Sequence, residues 1–176
     1  MSVTQHNGTP AAAPSPPVRA CIAQTQRALR ICDLLEALAD DLPKRSVPFW
    51  DEAQTQCQSV LRPHFSWLHD IVLPALLQKP EGGVDRLRVL SRLSSDCGDQ
   101  LHALGDLDDL IADASGSARL SAAPDALGYA LRGHFDSLRR DLTWQTDVLW
   151  PLAARMCSAP DLHGFVCALG RPQILH

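Results

Sequence analysis

Residues 84–113 read VDRLRVLSRLSSDCGDQLHALGDLDDLIAD, and the spacing of their apolar side chains decides the fold class. We call a series of residues spaced alternately three and four positions apart a seam. The seam of this stretch consists of Leu87, Leu90, Ser94, Cys97, Leu101, Leu104, Asp108 and Ile111. Because an α-helix completes a turn in 3.6 residues, positions with this spacing share one face of a helix. The stretch is therefore predicted to form a long amphipathic helix.

Three other segments have the same spacing. The seam of the first is Ile22, Thr25, Leu29, Cys32 and Leu35; that of the second is Ala53, Cys57, Val60, His64, Leu68, Ile71 and Ala75; that of the last is Leu127, Leu131, His134, Leu138, Asp141, Gln145, Val148 and Leu152. No stretch has the period-two alternation of a strand. We predict an all-α fold, an antiparallel up-down four-helix bundle with a short C-terminal helix, whose helices cover residues 19–41, 49–78, 84–113, 124–157 and 161–169.

Proline and glycine set the predicted domain boundaries. Residues 1–18 hold four prolines and a run of alanines, so they cannot bury enough apolar surface to fold and are expected to form a disordered tail. The bundle is assigned to residues 19–172 and a C-terminal tail to residues 173–176. Proline or glycine also marks each predicted break between helices.

The composition limits the function classes. A chain of 176 residues with 45% hydrophobic residues can bury one core, and a net charge of −4 gives no reason to expect nucleic-acid binding. The longest apolar run, at residues 71–77, is too short to span a bilayer, and residues 1–18 lack the apolar part of a signal peptide. Six cysteines without a C-x-x-C pair are expected to be reduced thiols. We expect a cytoplasmic protein that binds neither nucleic acid nor membrane.

Polar or sulfur-bearing side chains interrupt the apolar seams. A buried carboxylate or imidazole is costly unless it is paired or bound to metal, so these positions carry information. They are Thr25, His64, Cys97, Asp141 and Gln145, with His134 two turns before Asp141. Trp67, Trp144 and Trp150 lie on the same helices and are expected to pack at their edges.

Four stretches resemble one protein family. Residues 149–155 (LWPLAAR) and 73–77 (LPALL) resemble the proline-containing segments of hemerythrin-like (HHE cation-binding) proteins, in which a His-x-x-x-Glu motif precedes each proline. Residues 126–140 and 32–43 are similar to one bacterial branch of that family. The resemblance covers residues 19–172 and implies a four-helix bundle around a di-iron site.

The resemblance assigns ligand positions, and this chain fills most of them with other residues. His64 matches the histidine of the second helix, whereas Leu68 stands where a glutamate belongs. Asp141 and Gln145 replace the histidine and the glutamate of the last helix.

The two remaining helices depart from the family pattern as well. Cys97, after Asp96, stands where the third helix of the family has a histidine, and Thr25 replaces the histidine of the first helix. One of about six ligands is retained, so di-iron redox chemistry is not expected.

Three interpretations of the polar seam residues stay open at this point. They form a hydrogen-bonded cluster, in which Asp141 pairs with His64 and Gln145 with Thr25. Alternatively, His64, Cys97 and Asp141 hold a single zinc or iron ion, with His69 or His134 as a fourth donor. Five residues separate His64 from His69, which turns the two side chains about 140° apart on a helix and favours a surface position for His69. A third interpretation makes Cys97 a redox-sensing thiol.

No phosphate-binding glycine loop, nucleophile elbow or paired-carboxylate motif is present in the sequence. We therefore expect no enzyme and no cofactor. The chain is predicted to be a non-enzymatic interaction or regulatory module with an unknown protein partner, either monomeric or homodimeric. The alternative is a metal-binding sensor or store that uses His64, Cys97 and Asp141.

Overall fold

The computed structural model describes residues 13–42, 47–80, 83–115 and 124–169, and within them the chain forms five helices and no strand. They are Pro16–Asp40, residues 47–77, Val84–Ser115, residues 124–156 and Ala159–Leu169, here called the first to the fifth helix. The predicted all-α class is confirmed for these residues. None of the described helices is both long enough and apolar enough to cross a membrane.

The first helix begins at Pro16, three residues before its predicted start. Proline suits the first turn of a helix because the N–H that it lacks would have no partner there. Val18 is only 2% exposed, so Pro16 to Val18, which the sequence assigned to the tail, belong to the helix. Residues 13–15 of that tail are described and precede the helix, whereas residues 1–12 and the C-terminal tail lie outside the described residues.

The second and fourth helices contain π-helical segments, which the sequence analysis did not predict. Segments Cys57–Leu61, Leu68–Val72 and Gln145–Leu149 each end two residues before a proline, namely Pro63, Pro74 and Pro151. Proline donates no hydrogen bond, and its ring clashes with the carbonyl four residues earlier in an α-helix. A π turn, in which the N–H bonds the carbonyl five residues earlier, relieves that clash. Both helices therefore continue past their prolines.

The buried face of the third helix agrees with half of the predicted seam. Leu90, Cys97, Leu104 and Ile111 are buried as predicted, but Leu93, Gln100 and Leu107 are buried in place of Ser94, Leu101 and Asp108. Leu87 is 42% exposed. The buried face therefore begins at Leu90. At every second predicted position after Leu90, the preceding residue is the buried one.

A similar correction applies to the fourth helix. Phe135, Leu142 and Leu149 occupy the buried positions that the seam assigned to His134, Asp141 and Val148, all of which are only partly buried. In the first two cases the neighbouring residue is the more apolar one, and burying it costs no unpaired polar group. In the third case both residues lie within the π-helical segment Gln145–Leu149.

Interhelical pairs show the directions in which the helices run. Arg139 donates to Glu36 at 2.7 Å and to Asp33 at 3.1 Å, whereas Arg132, about two turns earlier, pairs with Asp40. Later residues of the fourth helix thus meet earlier residues of the first, and the two helices are antiparallel. In the same way, Arg62 of the second helix bonds Asp108 of the third, while His69 lies beside Gly98.

Two tryptophans form the centre of the core. The rings of Trp67 and Trp150 stack with centroids 5.5 Å apart, and both side chains are buried. The prediction that they lie at helix edges is therefore wrong, although it is correct for Trp144, which is 46% exposed. The stack joins the second helix, which carries Trp67, to the fourth, which carries Trp150. It contributes to stability because a planar indole buries a large apolar area on both faces.

Candidate functional site

His64 lies at the centre of the candidate site and is fully buried. Its Nε2 lies 2.8 Å from Oε1 of Gln145, and its ring meets that of Phe65 edge-on. Burial lowers the pKa of His64 to about 4, against the opposing effect of the Gln145 hydrogen bond. The imidazole is therefore neutral at pH 7. With Oε1 as the acceptor, Nε2 carries the proton, and Nδ1 has no hydrogen-bond partner among the described residues.

Thr25 bonds to a tryptophan rather than to Gln145. Nε1 of Trp150 donates to Oγ1 of Thr25 at 2.9 Å, and this hydroxyl donates to the carbonyl of Cys21. The predicted pairs of Gln145 with Thr25 and of Asp141 with His64 are therefore wrong. The partners depend on which side chains of neighbouring helices lie at the same level along the bundle. Trp150 was predicted only to pack, so it was not considered as a hydrogen-bond donor.

Asp141 has a different set of partners. Nε2 of Gln100 donates to Oδ2 of Asp141 at 2.5 Å and to Oγ of Ser137 at 2.8 Å. Nε of Arg140 lies 3.6 Å from the other carboxylate oxygen. Partial burial raises the pKa of Asp141, and the Gln100 hydrogen bond acts in the opposite direction. Gln100 was missed in the sequence, although it lies three residues after Cys97 on the same face.

Cys97 is buried and its thiol donates to the backbone carbonyl of Phe65 at 3.2 Å. Burial raises the pKa of Cys97 to about 12, so the side chain is a protonated thiol at neutral pH. The nucleophile and the usual metal ligand is the thiolate, which this environment disfavours.

The two histidines considered as a fourth donor lie apart from this group. His69 is partly exposed, as predicted, and its Nδ1 is 2.8 Å from Asp70. His134 is half-buried, and burial lowers its pKa while nearby Asp106 acts in the opposite direction. Among the described residues, the hydrogen bonds of the His64, Cys97 and Asp141 side chains described above involve neither of these two imidazole rings.

The residues present do not fit the pair of iron ions that the family resemblance implies. Leu68 is a buried apolar residue, the hydroxyl of Thr25 is bound to Trp150, and the amide oxygen of Gln145 is bound to His64. A di-iron centre needs several imidazoles and charge-balancing carboxylates, which these positions do not supply. Nor do any three His, Cys, Asp or Glu side chains of the described residues come together as a metal-binding group.

A cleft of about 700 Å³ opens beside these residues, between the second, third and fourth helices. Its lining combines leucines and aromatic rings with charged and amide groups. The lining includes Leu73, Leu93, Leu149, Trp144, Arg92, Asp96, Asp99, Gln100, Arg140, Asp141 and Gln145. The cleft lies within the size range of sites for small molecules in proteins. Gln145 lines it and also bonds His64.

Comparisons of the chain with models of protein families, with curated proteins and with solved structures find no match.

Proposed function

We propose that the chain is a hemerythrin-like, antiparallel up-down four-helix bundle that acts without metal as an interaction or regulatory module and not as an enzyme. The observation that carries the proposal is the 2.8 Å hydrogen bond between His64 and Gln145. It joins two residues at family ligand positions, and burial keeps the imidazole neutral. The neutral amide of Gln145 thus supplies a partner for the buried ring, as a metal ion would in a metal site.

The directions of the helices support the bundle part of the proposal. The first helix is antiparallel to the fourth, and the second to the third, as Arg139 with Glu36 and Arg62 with Asp108 indicate. His64 pairs with Gln145 and Trp67 stacks on Trp150, so the second and fourth helices run in the same direction. This set of directions is that of an up-down bundle.

The chemistry of the buried groups supports a non-enzymatic role. The cysteine thiol at the candidate site, Cys97, is protonated at neutral pH, and His64 has no nucleophile as a hydrogen-bond partner. Nucleophilic catalysis needs a nucleophile within hydrogen-bond reach of a base. Regulation through a bound partner or small molecule needs only a surface or a cleft, and the cleft beside Gln145 supplies one.

Elemental analysis of protein purified without a metal-chelating tag tests this proposal. We expect far less than one zinc or iron ion per chain, and no change in the melting temperature on adding a chelator. Stoichiometric iron with oxo-bridge absorption would overturn the proposal. Light scattering measures whether the chain is a monomer or a homodimer.

The same experiment tests the alternative, a sensor or store that holds one zinc or iron ion on His64, Cys97 and Asp141. In that case the protein contains metal, and Cys97→Ala removes it. Cys57→Ala is the matched control because Cys57 is also a buried thiol of the core. Metal that survives Cys97→Ala would contradict this ligand set.

A further inference from the structure

One end of the cleft carries Gln100 and Asp141, and the other carries leucines beside the Arg92–Asp96 ion pair. Gln100 of the third helix bonds Asp141 of the fourth, which fixes one level of the cleft. The third and fourth helices are antiparallel, so Leu93 and Leu149 lie on the same side of that level. Seven residues separate Leu93 from Gln100, which corresponds to about 10 Å along a helix. The cleft thus extends over about 10 Å from a carboxylate to a group of leucines.

Acidic groups outnumber basic groups in the lining. Three carboxylates, from Asp96, Asp99 and Asp141, face two guanidinium groups, from Arg92 and Arg140. Nε of Arg92 contacts both carboxylate oxygens of Asp96, at 2.8 and 2.9 Å, so that pair is already neutralised. The cleft therefore favours a cation over an anion.

Asp141 is the carboxylate best placed to receive that cation. Its side chain is mostly buried, and its closest donor is the uncharged amide of Gln100. The cation beside it in the described part of the chain, Arg140, lies 3.6 Å away and donates to Oγ of Ser137 at 3.2 Å. Its side chain is 71% exposed, so water can replace both contacts. Trp144 lines the cleft one turn further along and offers an aromatic ring, to which cations are attracted.

We propose that the cleft binds a small amphipathic amine, with its ammonium group on Asp141 and its apolar body against Leu93, Leu149 and Leu73. This inference rests on the proposed function, because a metal ion held by His64, Cys97 and Asp141 would occupy the same carboxylate. Burial of the apolar body supplies the affinity, and the charge pair selects the head group.

Three eight-carbon probes that differ only in the head group test the proposal, namely octylamine, 1-octanol and octanoate. Titration calorimetry at neutral pH is expected to give one saturable site per chain, with octylamine bound at least tenfold more tightly than the other two. Absence of saturable octylamine binding would overturn the site. Octanoate binding as tight as that of octylamine would overturn the assignment of the head group.

Variants locate the site. Asp141→Asn should lower octylamine affinity about tenfold and leave that of 1-octanol unchanged, whereas Asp147→Asn, on an exposed position of the same helix, should change neither. Trp144→Ala changes a half-exposed side chain and should weaken octylamine binding severalfold without unfolding the protein. Equal losses in Asp141→Asn and Asp147→Asn would refute the proposal.

Metal content measured on the same samples distinguishes failure of this inference from failure of the proposed function. Metal-free protein that fails to bind octylamine contradicts this inference alone. Protein that contains stoichiometric metal contradicts the proposed function first.

Discussion

Trp67 and Trp150 stack at 5.5 Å with 29° between their planes, and each indole nitrogen donates to a different helix. Trp67 donates to the carbonyl of Phe165 in the fifth helix, and Trp150 to the hydroxyl of Thr25 in the first. One aromatic pair thereby links four of the five described helices. The polar edges of the rings are satisfied while their faces stay in the apolar core, which is the arrangement that a buried indole requires.

The bond between Trp150 and Thr25 is testable by substitution. Thr25→Val keeps the shape of the side chain but leaves Nε1 of Trp150 without an acceptor, so the free energy of unfolding should fall by about 1–3 kcal/mol. In a Trp150→Phe background there is no donor to strand, and the same change should cost less than about 1 kcal/mol. Urea unfolding of the four proteins gives both values. Equal costs in the two backgrounds would show that the bond contributes nothing.

The stability of the protein should depend on pH through His64. Its pKa is about 4 in the folded protein, against 6.5 in the unfolded chain, so between these values the unfolded state binds more protons. The free energy of unfolding should therefore fall as the pH drops from 6.5 to 4, by roughly 3 kcal/mol from this group. His64→Gln should remove that part of the slope. His102→Gln, at an exposed position, should retain it, and a slope unchanged in His64→Gln would refute this role.

Thiol labelling should divide the six cysteines by burial. Burial raises the pKa of Cys21, Cys32, Cys57 and Cys97 to about 12, so a disulfide reagent should leave them unmodified in the folded protein. Cys167 is exposed and should react rapidly, and the half-buried Cys157 more slowly. Cys167→Ser should abolish the fast phase, and all six should react in denaturant. Rapid native-state modification of Cys97 would contradict the buried site.

Arg139 should contribute more to stability than an ordinary surface arginine. It pairs with Asp33 and Glu36 and lies over the ring of Phe135 at 5.4 Å. Arg139→Met should lower the free energy of unfolding by about 1 kcal/mol, and less at high salt, since salt screens the ion pairs. Arg88→Met is the control, because Arg88 is 78% exposed and lies 3.7 Å from Asp85. Urea unfolding at low and high salt should show no loss for the control beyond about 0.5 kcal/mol.

The helices could be predicted from spacing because a period of 3.6 residues is a property of the local chain. Which of two adjacent residues is buried could not, since both positions border the same face. In the third helix, Leu93 is buried in place of Ser94 and Gln100 in place of Leu101. That choice depends on the residues of the neighbouring helices, which a single seam does not contain.

The burial of most polar seam residues was predictable from the sequence, but their hydrogen-bond partners were not. Thr25, His64, Cys97 and Gln145 are all buried, as residues on the seams should be. Their partners depend on the relative levels of helices far apart in sequence. Gln145 meets His64 across 81 positions. No local pattern specifies such a meeting, so the expected pairs were wrong. Asp141 is only partly buried, and Gln100 was not expected.

The π-helical segments before Pro63, Pro74 and Pro151 have a consequence for how this chain aligns with others. A π turn accommodates one residue more than an α turn, so the buried face after it can resume one position late. In the second helix it resumes at Val72 and Leu76, not at Ile71 and Ala75. A relative with regular helices would be one residue shorter at each of these three points. An ungapped alignment would then place its core residues opposite the partly exposed Ile71 and Ala75.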